Sequence, residues 1–304
     1  MARADCQHSD RIRSSSEFQE APLPLTANTL TIGVTQSGET ADTLMALQLE
    51  RNRRSGETAA LQPRLLGVTN QPASSLAKQV DYVLPTLAGA EIGVAATKTF
   101  VNQLVVFACV TLELAYERGA IADDVLQRHL AQLHQLPIKI EQVLEQEGVI
   151  KDLAHRLVAA QHCIVLGHGV NWAIALEGAL KLKETTYLHA EGYAAGEFMH
   201  GPIALLDASI PVIAIAPAGS PYPAMLPTLR KAKSHGAPMI GIVTANNASE
   251  TADLFDPAIV LPAIDELLSP ILTVIPLQLL AYHIAVQRGL DVDRPRNITK
   301  TLTA

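Results

Sequence analysis

Short apolar runs recur along the chain, and between most of them apolar residues return every three or four positions. The runs LTIGV (30–34), RLLGVT (64–69), YVLPT (82–86), CIVLG (163–167), PVIAIAP (211–217), PMIGIVT (238–244) and AIVLPA (258–263) are strand-length and lack the polar alternation of a half-exposed strand. Strands of this kind alternating with helices predict parallel sheets covered on both faces, the doubly wound α/β class. The helical patterns include 171–186 and a stretch over 121–160, read as a helical linker punctuated by Pro137 and Gly148.

The pattern repeats. QLVVFACVTLELAYERG (103–119) matches QLLAYHIAVQRG (278–289), and SSEF (15–18) matches AGEF (195–198), so the chain reads as a duplicated domain. The second half opens with strand CIVLGHG and helix NWAIALEGALKLKETTYL, whose counterparts fall before residue 1. The first half is therefore expected to lack its first βα unit, and the polar segment 1–15 carries no strand or helix signal. The expected organisation is a first domain over 1–136, a second over 137–290 and a tail over 291–304.

Three places carry candidate chemistry. The loop TQSGET (35–40) joins a strand to a helix. Ser37 can cap the helix, with Gly38 freeing the backbone and Glu39 complementing the dipole. Alternatively Thr35, Ser37 and Thr40 surround exposed helix N–H groups and hold a phosphate, which requires Glu39 to point away. No Gly-Lys-Ser/Thr is present, so a nucleotide P-loop is excluded. Glu177, Lys181 and Glu184 share one face of the 171–186 helix. They form either a solvated ion-pair ladder or, since their flanks are apolar and follow a strand end, a carboxylate and ammonium suited to proton transfer beside a carbonyl. His189 and His200 follow, His200 in a turn before Gly201 and Pro202. The tail DVDRPRNITKTLTA carries Lys300 and by itself reads as frayed.

Composition narrows the partners. With 48% hydrophobic and 17% charged residues the 304-residue chain is globular, and a net charge of −7 provides no basic field for nucleic acid or an anionic membrane. The N-terminus has no signal-like apolar core, and the most apolar stretch is interrupted by Asn102, Gln103 and Glu113, which predicts a cytoplasmic protein. Cys6, Cys109 and Cys163 lack metal spacing, and Cys109 and Cys163 are expected to be buried thiols.

TQSGETADTL, EIGVAATKTF, IALEGALKLKE, HAEGYAAGEFMHGP and DVDRPRNITK, in this order, closely resemble the isomerase domain of the glutamine:fructose-6-phosphate aminotransferase family, built from two sugar-isomerase (SIS) domains. The resemblance implies two flavodoxin-like SIS domains and a role in amino sugar synthesis with no metal or organic cofactor. It makes Thr35, Gln36, Ser37 and Thr40 the phosphate loop, Glu184 the base working between C1 and C2, and Lys181 a neighbour of the sugar hydroxyls. It implies that His200 assists ring opening from a neighbouring subunit of a homodimer, that Lys300 forms a Schiff base with the open-chain ketose, and that Val94 and Ala96 line the sugar. Ala96 replaces a usual serine, His168 an arginine, Met199 a lysine and Trp172–Ala173 a Tyr-Pro. A CGTS loop and a glutaminase domain are missing from the resemblance, so nitrogen would come from ammonia or a separate glutaminase. The alternatives are a sugar-phosphate-binding module, a deglycase-like SIS protein and an impaired gene product.

Overall fold

A computed structural model of the chain describes residues 11–300. Cys6 and the segment 1–10 lie outside the described residues, as do 301–304. The described chain divides into two compact units, one reaching Ala120 and joined by Thr299 and Lys300, the other Ile121–Ile298.

All seven expected strands are present. In the first unit β1 (Thr31–Val34), β2 (Leu65–Thr69) and β3 (Tyr82–Pro85) form a parallel sheet in the order β1-β2-β3, with Val34 beside Val68 and Val68 beside Leu84. The helices α1 (Ala41–Arg54) and α2 (Lys98–Glu117) belong to this unit, and Leu47, Leu65 and Leu76 form a small core in it.

The second unit contains α3 (Asp123–Leu144), α4 (Glu147–Leu157), β4 (His162–Gly167), α5 (Val170–Thr186), β5 (His189–Ala194), β6 (Val212–Ile215), α6 (Tyr222–Ser234), β7 (Met239–Thr244), β8 (Ala258–Leu261) and α7 (Ser269–Gln287). Its strands are parallel in the order β5-β4-β6-β7-β8. One core joins the sheet to Phe198, Met225, Leu229 and Phe255, while α7 packs against α5 and α4.

The two sheets differ in extent. The strands β1, β2 and β3 answer β6, β7 and β8, and among the described residues none answers β4 or β5. The helices differ as well. Both α2 and α7 are long and apolar enough to cross a membrane by length and composition, but the apolar window of α7 is 72% buried and that of α2 only 28%. The described first unit has no helix answering α5, which covers α7 in the second.

Four sequence readings need revision. The segment 121–160 is no linker: Leu136, Val143, Ile150, Leu153, Ala154 and Leu157 are buried, and α4 packs on α7. Pro137 and Gly148 lie inside α3 and α4, so the expected 136/137 boundary falls within a continuous helix. Tertiary packing overrides the local penalty of an internal proline. Cys109 is exposed on α2, whereas Cys163 is buried and burial pushes its thiol up to about 12. The strand β5 was not anticipated, because HAEGYA has too few apolar residues to announce one.

Candidate active site

The loop after β1 departs from the sheet with Gly38 at φ 71°, where an added Cβ would lie 2.0 Å from Ser74 Oγ. Only glycine meets both the positive φ and this close approach. The Gly38 carbonyl accepts from Leu76 N at 3.0 Å, and Glu39 Oε1 accepts from Ser75 N at 2.8 Å. The Ser75 backbone N–H, with its side chain, holds the Glu39 carboxyl below the usual range. Glu39 thus caps the short helix Ser75–Gln79 and is committed away from its own loop, which is the condition the phosphate reading set. The hydroxyls remain beside α1: Thr35 Oγ1 and Thr40 Oγ1 are 2.6 Å apart, Ser37 Oγ accepts from Glu39 N at 3.1 Å, and Thr40 makes no side-chain cap. Ser37 therefore accepts a backbone N–H as the capping reading expected, though from Glu39 ahead of the helix, and a polar cluster stands at the start of a fourteen-residue helix.

A second cluster of the first unit lies in the loop between β3 and α2. Asn70 anchors its start, accepting through Oδ1 from Thr86 Oγ1 and Ala88 N, each at 2.9 Å, and donating through Nδ2 to Gly89 O at 2.7 Å. Val94 and Ala96 are half-buried in the following residues. The tail returns here, since Lys300 Nζ donates to Gly93 O at 2.9 Å. The tail residue Lys300 is therefore docked and not frayed.

In the second unit α5 is held along its length. Asn171, 2% exposed, donates to Ser269 Oγ at 3.0 Å and accepts from Thr273 Oγ1 at 2.7 Å, tying the start of α5 to α7. Farther along, Gly178 permits close approach, since a Cβ there would lie 2.5 Å from Leu277 Cδ1. Tyr187 in the left-handed conformation ends the helix, with Arg296 4.0 Å above its ring and the Arg296 N–H donating to its hydroxyl at 2.8 Å.

On this fixed helix Lys181 Nζ lies 2.6 Å from Glu184 Oε2 and 3.4 Å from Glu177 Oε1. The lysine side chain is 5% exposed, so the ladder is not solvated. Burial pushes the Glu177 carboxyl up, Lys181 opposes this, and the Glu184 charge adds to it. A buried ammonium held between two carboxylates, one of them 24% exposed, can pass a proton through that carboxylate while the cation stabilises oxygen charge.

His200 is exposed after the short helix Ala195–Phe198, and its backbone N–H donates to Glu197 O at 3.0 Å. No hydrogen bond or ion pair joins its ring to Lys181 or Glu184 among the described residues. His189 lies 3.4 Å from Glu191 on edge strand β5, and the Tyr193 hydroxyl donates to the same carboxylate.

The structure brings Lys181 and Glu184 together, groups Thr35, Ser37 and Thr40, and docks Lys300 beside Val94. Gln36 offers its backbone carbonyl to Asn70 N at 3.1 Å. Sequence reasoning missed Asn70 and Glu91. Glu91 accepts hydrogen bonds from Thr97 and Thr99 at the start of α2, and its distance along the chain is outside the local spacing of a capping box. Among the described residues no group of three His, Cys, Asp or Glu side chains could hold a metal ion.

The SIS domain profile matches residues 11–112 and 156–288. The chain is 56% identical over 293 residues to the glutamine–fructose-6-phosphate aminotransferase (isomerizing) of Thermosynechococcus vestitus, covering 96% of this chain and 47% of that protein. It is 41% identical over 293 residues to the protein of the same name from Thermococcus kodakarensis, with 96% and 47% coverage. It spans about half the length of these curated relatives. Among solved structures, the C-terminal domain of glucosamine-fructose-6-phosphate aminotransferase from Francisella tularensis superposes with a TM-score of 0.90 at 33% identity, covering 97% of this chain and 80% of that one.

Proposed function

This chain belongs to the SIS-domain family, and on that premise we propose that it converts fructose 6-phosphate to glucosamine 6-phosphate with ammonia, or to glucose 6-phosphate without it. The observation that carries the reading is the buried contact of Lys181 with Glu184 on a helix fixed at both ends. A solvated helix face has no use for so buried a cation, whereas enolisation needs a carboxylate beside a stabilised oxygen.

The roles are those that the resemblance to the family implies. Thr35, Gln36, Ser37 and Thr40 hold the sugar phosphate. His200, exposed and free to act from a neighbouring subunit of a homodimer, assists ring opening. The Lys300 amine condenses with the C2 carbonyl of the open ketose, releasing water, and ammonia displaces the lysine to leave an imine at C2. Glu184 takes a proton from C1 and returns it to C2, so the double bond moves to C1 and the aldose carries the amine. Lys181 steadies the oxygen charge, and Val94 and Ala96 line the sugar. Nitrogen comes from ammonia, free or released by a glutaminase, and the setting is cytoplasmic.

A second reading, a sugar-phosphate-binding module without turnover, is favoured by the first sheet, whose strands among the described residues answer only β6, β7 and β8. Incubation with fructose 6-phosphate, with and without ammonia, followed by NMR separates the two. Glu184→Gln is nearly isosteric and should lower turnover at least ~10²-fold with folding intact. Parental turnover in that variant would remove Glu184 as the base, and absence of turnover in the parent with retained sugar-phosphate binding would favour the binding module.

A further inference from the structure

The loop that receives Lys300 is closed by a carboxylate to which no role has been given. Glu91 Oε2 accepts from Thr99 N at 3.0 Å and Thr97 N at 3.4 Å, and Oε1 accepts from Thr97 Oγ1 at 3.1 Å. The Thr99 hydroxyl also donates to Oε2. Thr99 is fully buried, and Thr97, the residue before α2, makes no side-chain cap of its own. Glu91 therefore serves as the cap of this twenty-residue helix from six and eight residues upstream.

The intervening residues are Ile92 to Ala96, so the carboxylate closes a short ring of chain around them. Gly93, whose carbonyl accepts from Lys300, lies in that ring with Val94 and Ala96. Asn70 fixes the loop only as far as Gly89, which leaves Glu91 as the tie on the other side of Gly93. Burial works against the Glu91 carboxylate, but hydrogen bonds from Thr99 and Thr97 outweigh it and hold its pKa below the usual range. It stays anionic through neutral pH.

We infer that Glu91 is a positioning residue for Lys300: by binding Thr97 and Thr99 it fixes the Gly93 carbonyl on which the amine of Lys300 rests. The inference rests on the proposed amine role of Lys300. A reacting amine gains from a fixed starting point, because small misplacements of a reacting group are costly in rate. Glu91 itself does not touch the amine.

The test uses the full chain and two readouts. Borohydride trapping with fructose 6-phosphate, read by mass spectrometry of the Lys300 peptide, reports imine formation. Competitive labelling with acetic anhydride, without sugar, reports the amine's own environment. Glu91→Ala should slow trapping by about tenfold or more, change the labelling of Lys300 relative to the other lysines, and leave fructose 6-phosphate affinity within about twofold. Glu91→Gln, which keeps an acceptor oxygen but loses the charge, should recover part of the trapping rate. Should Glu91→Ala fold poorly, Glu91→Gln and Thr97→Val supply graded losses of the same tie. Parental trapping and labelling in variants whose amides at 93–97 exchange faster would show Glu91 to be a helix cap only, overturning the inference. If the parent itself traps no imine, the amine role of Lys300 fails, and unchanged labelling in Glu91→Ala would then overturn the positioning role as well.

Discussion

Replacing Lys181 by methionine should destabilise the second unit, and the size and pH dependence of the loss follow from its surroundings. The ammonium is 5% exposed and touches Glu184 at 2.6 Å and Glu177 at 3.4 Å, whose side chains are 24% and 14% exposed. Removing one partner of a buried ion pair costs about 3–5 kcal/mol, and the partial exposure of Glu184 puts the expected loss near the lower end. A solvated ladder would lose about 0–1 kcal/mol. The pH sign is fixed by Glu177, whose pKa burial raises and Lys181 lowers. Without the lysine it rises further. A carboxyl with a raised folded pKa binds more protons folded than unfolded, so its contribution falls as pH climbs from the ordinary carboxylate value to the folded one. The Lys181→Met deficit should therefore be about 3 kcal/mol at pH 8 and smaller at pH 5, each unit of added shift being worth about 1.4 kcal/mol. Urea unfolding followed by the fluorescence of Trp172 is the assay, since the only tryptophan lies at the start of α5. A pH-independent deficit under about 1 kcal/mol would refute the buried cluster.

Changing Ser37 and Thr40 together to alanine should weaken sugar phosphates by about 1.5–3 kcal/mol per lost bond to the anion and leave unphosphorylated sugars unaffected. Calorimetry showing equal weakening of both ligands would return the loop to a structural role. Mixing Glu184→Gln chains with His200→Ala chains should restore part of the activity if His200 serves the neighbouring subunit, whereas no recovery after confirmed subunit exchange would place both residues in one chain. Hydrogen exchange should separate the sheets: β4 is paired on both sides by β5 and β6, while among the described residues β1 pairs only with β2, so amides of 31–34 should exchange ahead of those of 163–167. Equal protection would mean that the free side of β1 is covered.

The central strands of the second sheet were legible in the chain because a strand buried on both faces needs an unbroken apolar run, and few other elements do; β1 and β3 carry the same runs although they are only partly buried here. The duplication was legible for the same reason: repeated cores demand repeated patterns, down to QLVVFACVTLELAYERG and QLLAYHIAVQRG. The pairing of Lys181 with Glu184 could be anticipated, since spacing along a helix alone puts them on one face. Tertiary structure decided what the pairing means, because the desolvation of Lys181 depends on α5 being pinned by Ser269, Thr273 and Leu277 from α7, about a hundred residues away. It likewise decided that Glu39 turns to Ser75, that Glu91 caps α2 from upstream, and that Lys300 docks on Gly93. None of these contacts has a local spacing rule. Glu39 and Lys300 reach partners 36 and 207 residues away, and Glu91 reaches past the capping-box spacing to residues six and eight further on, because a buried donor must find an acceptor wherever packing has put one.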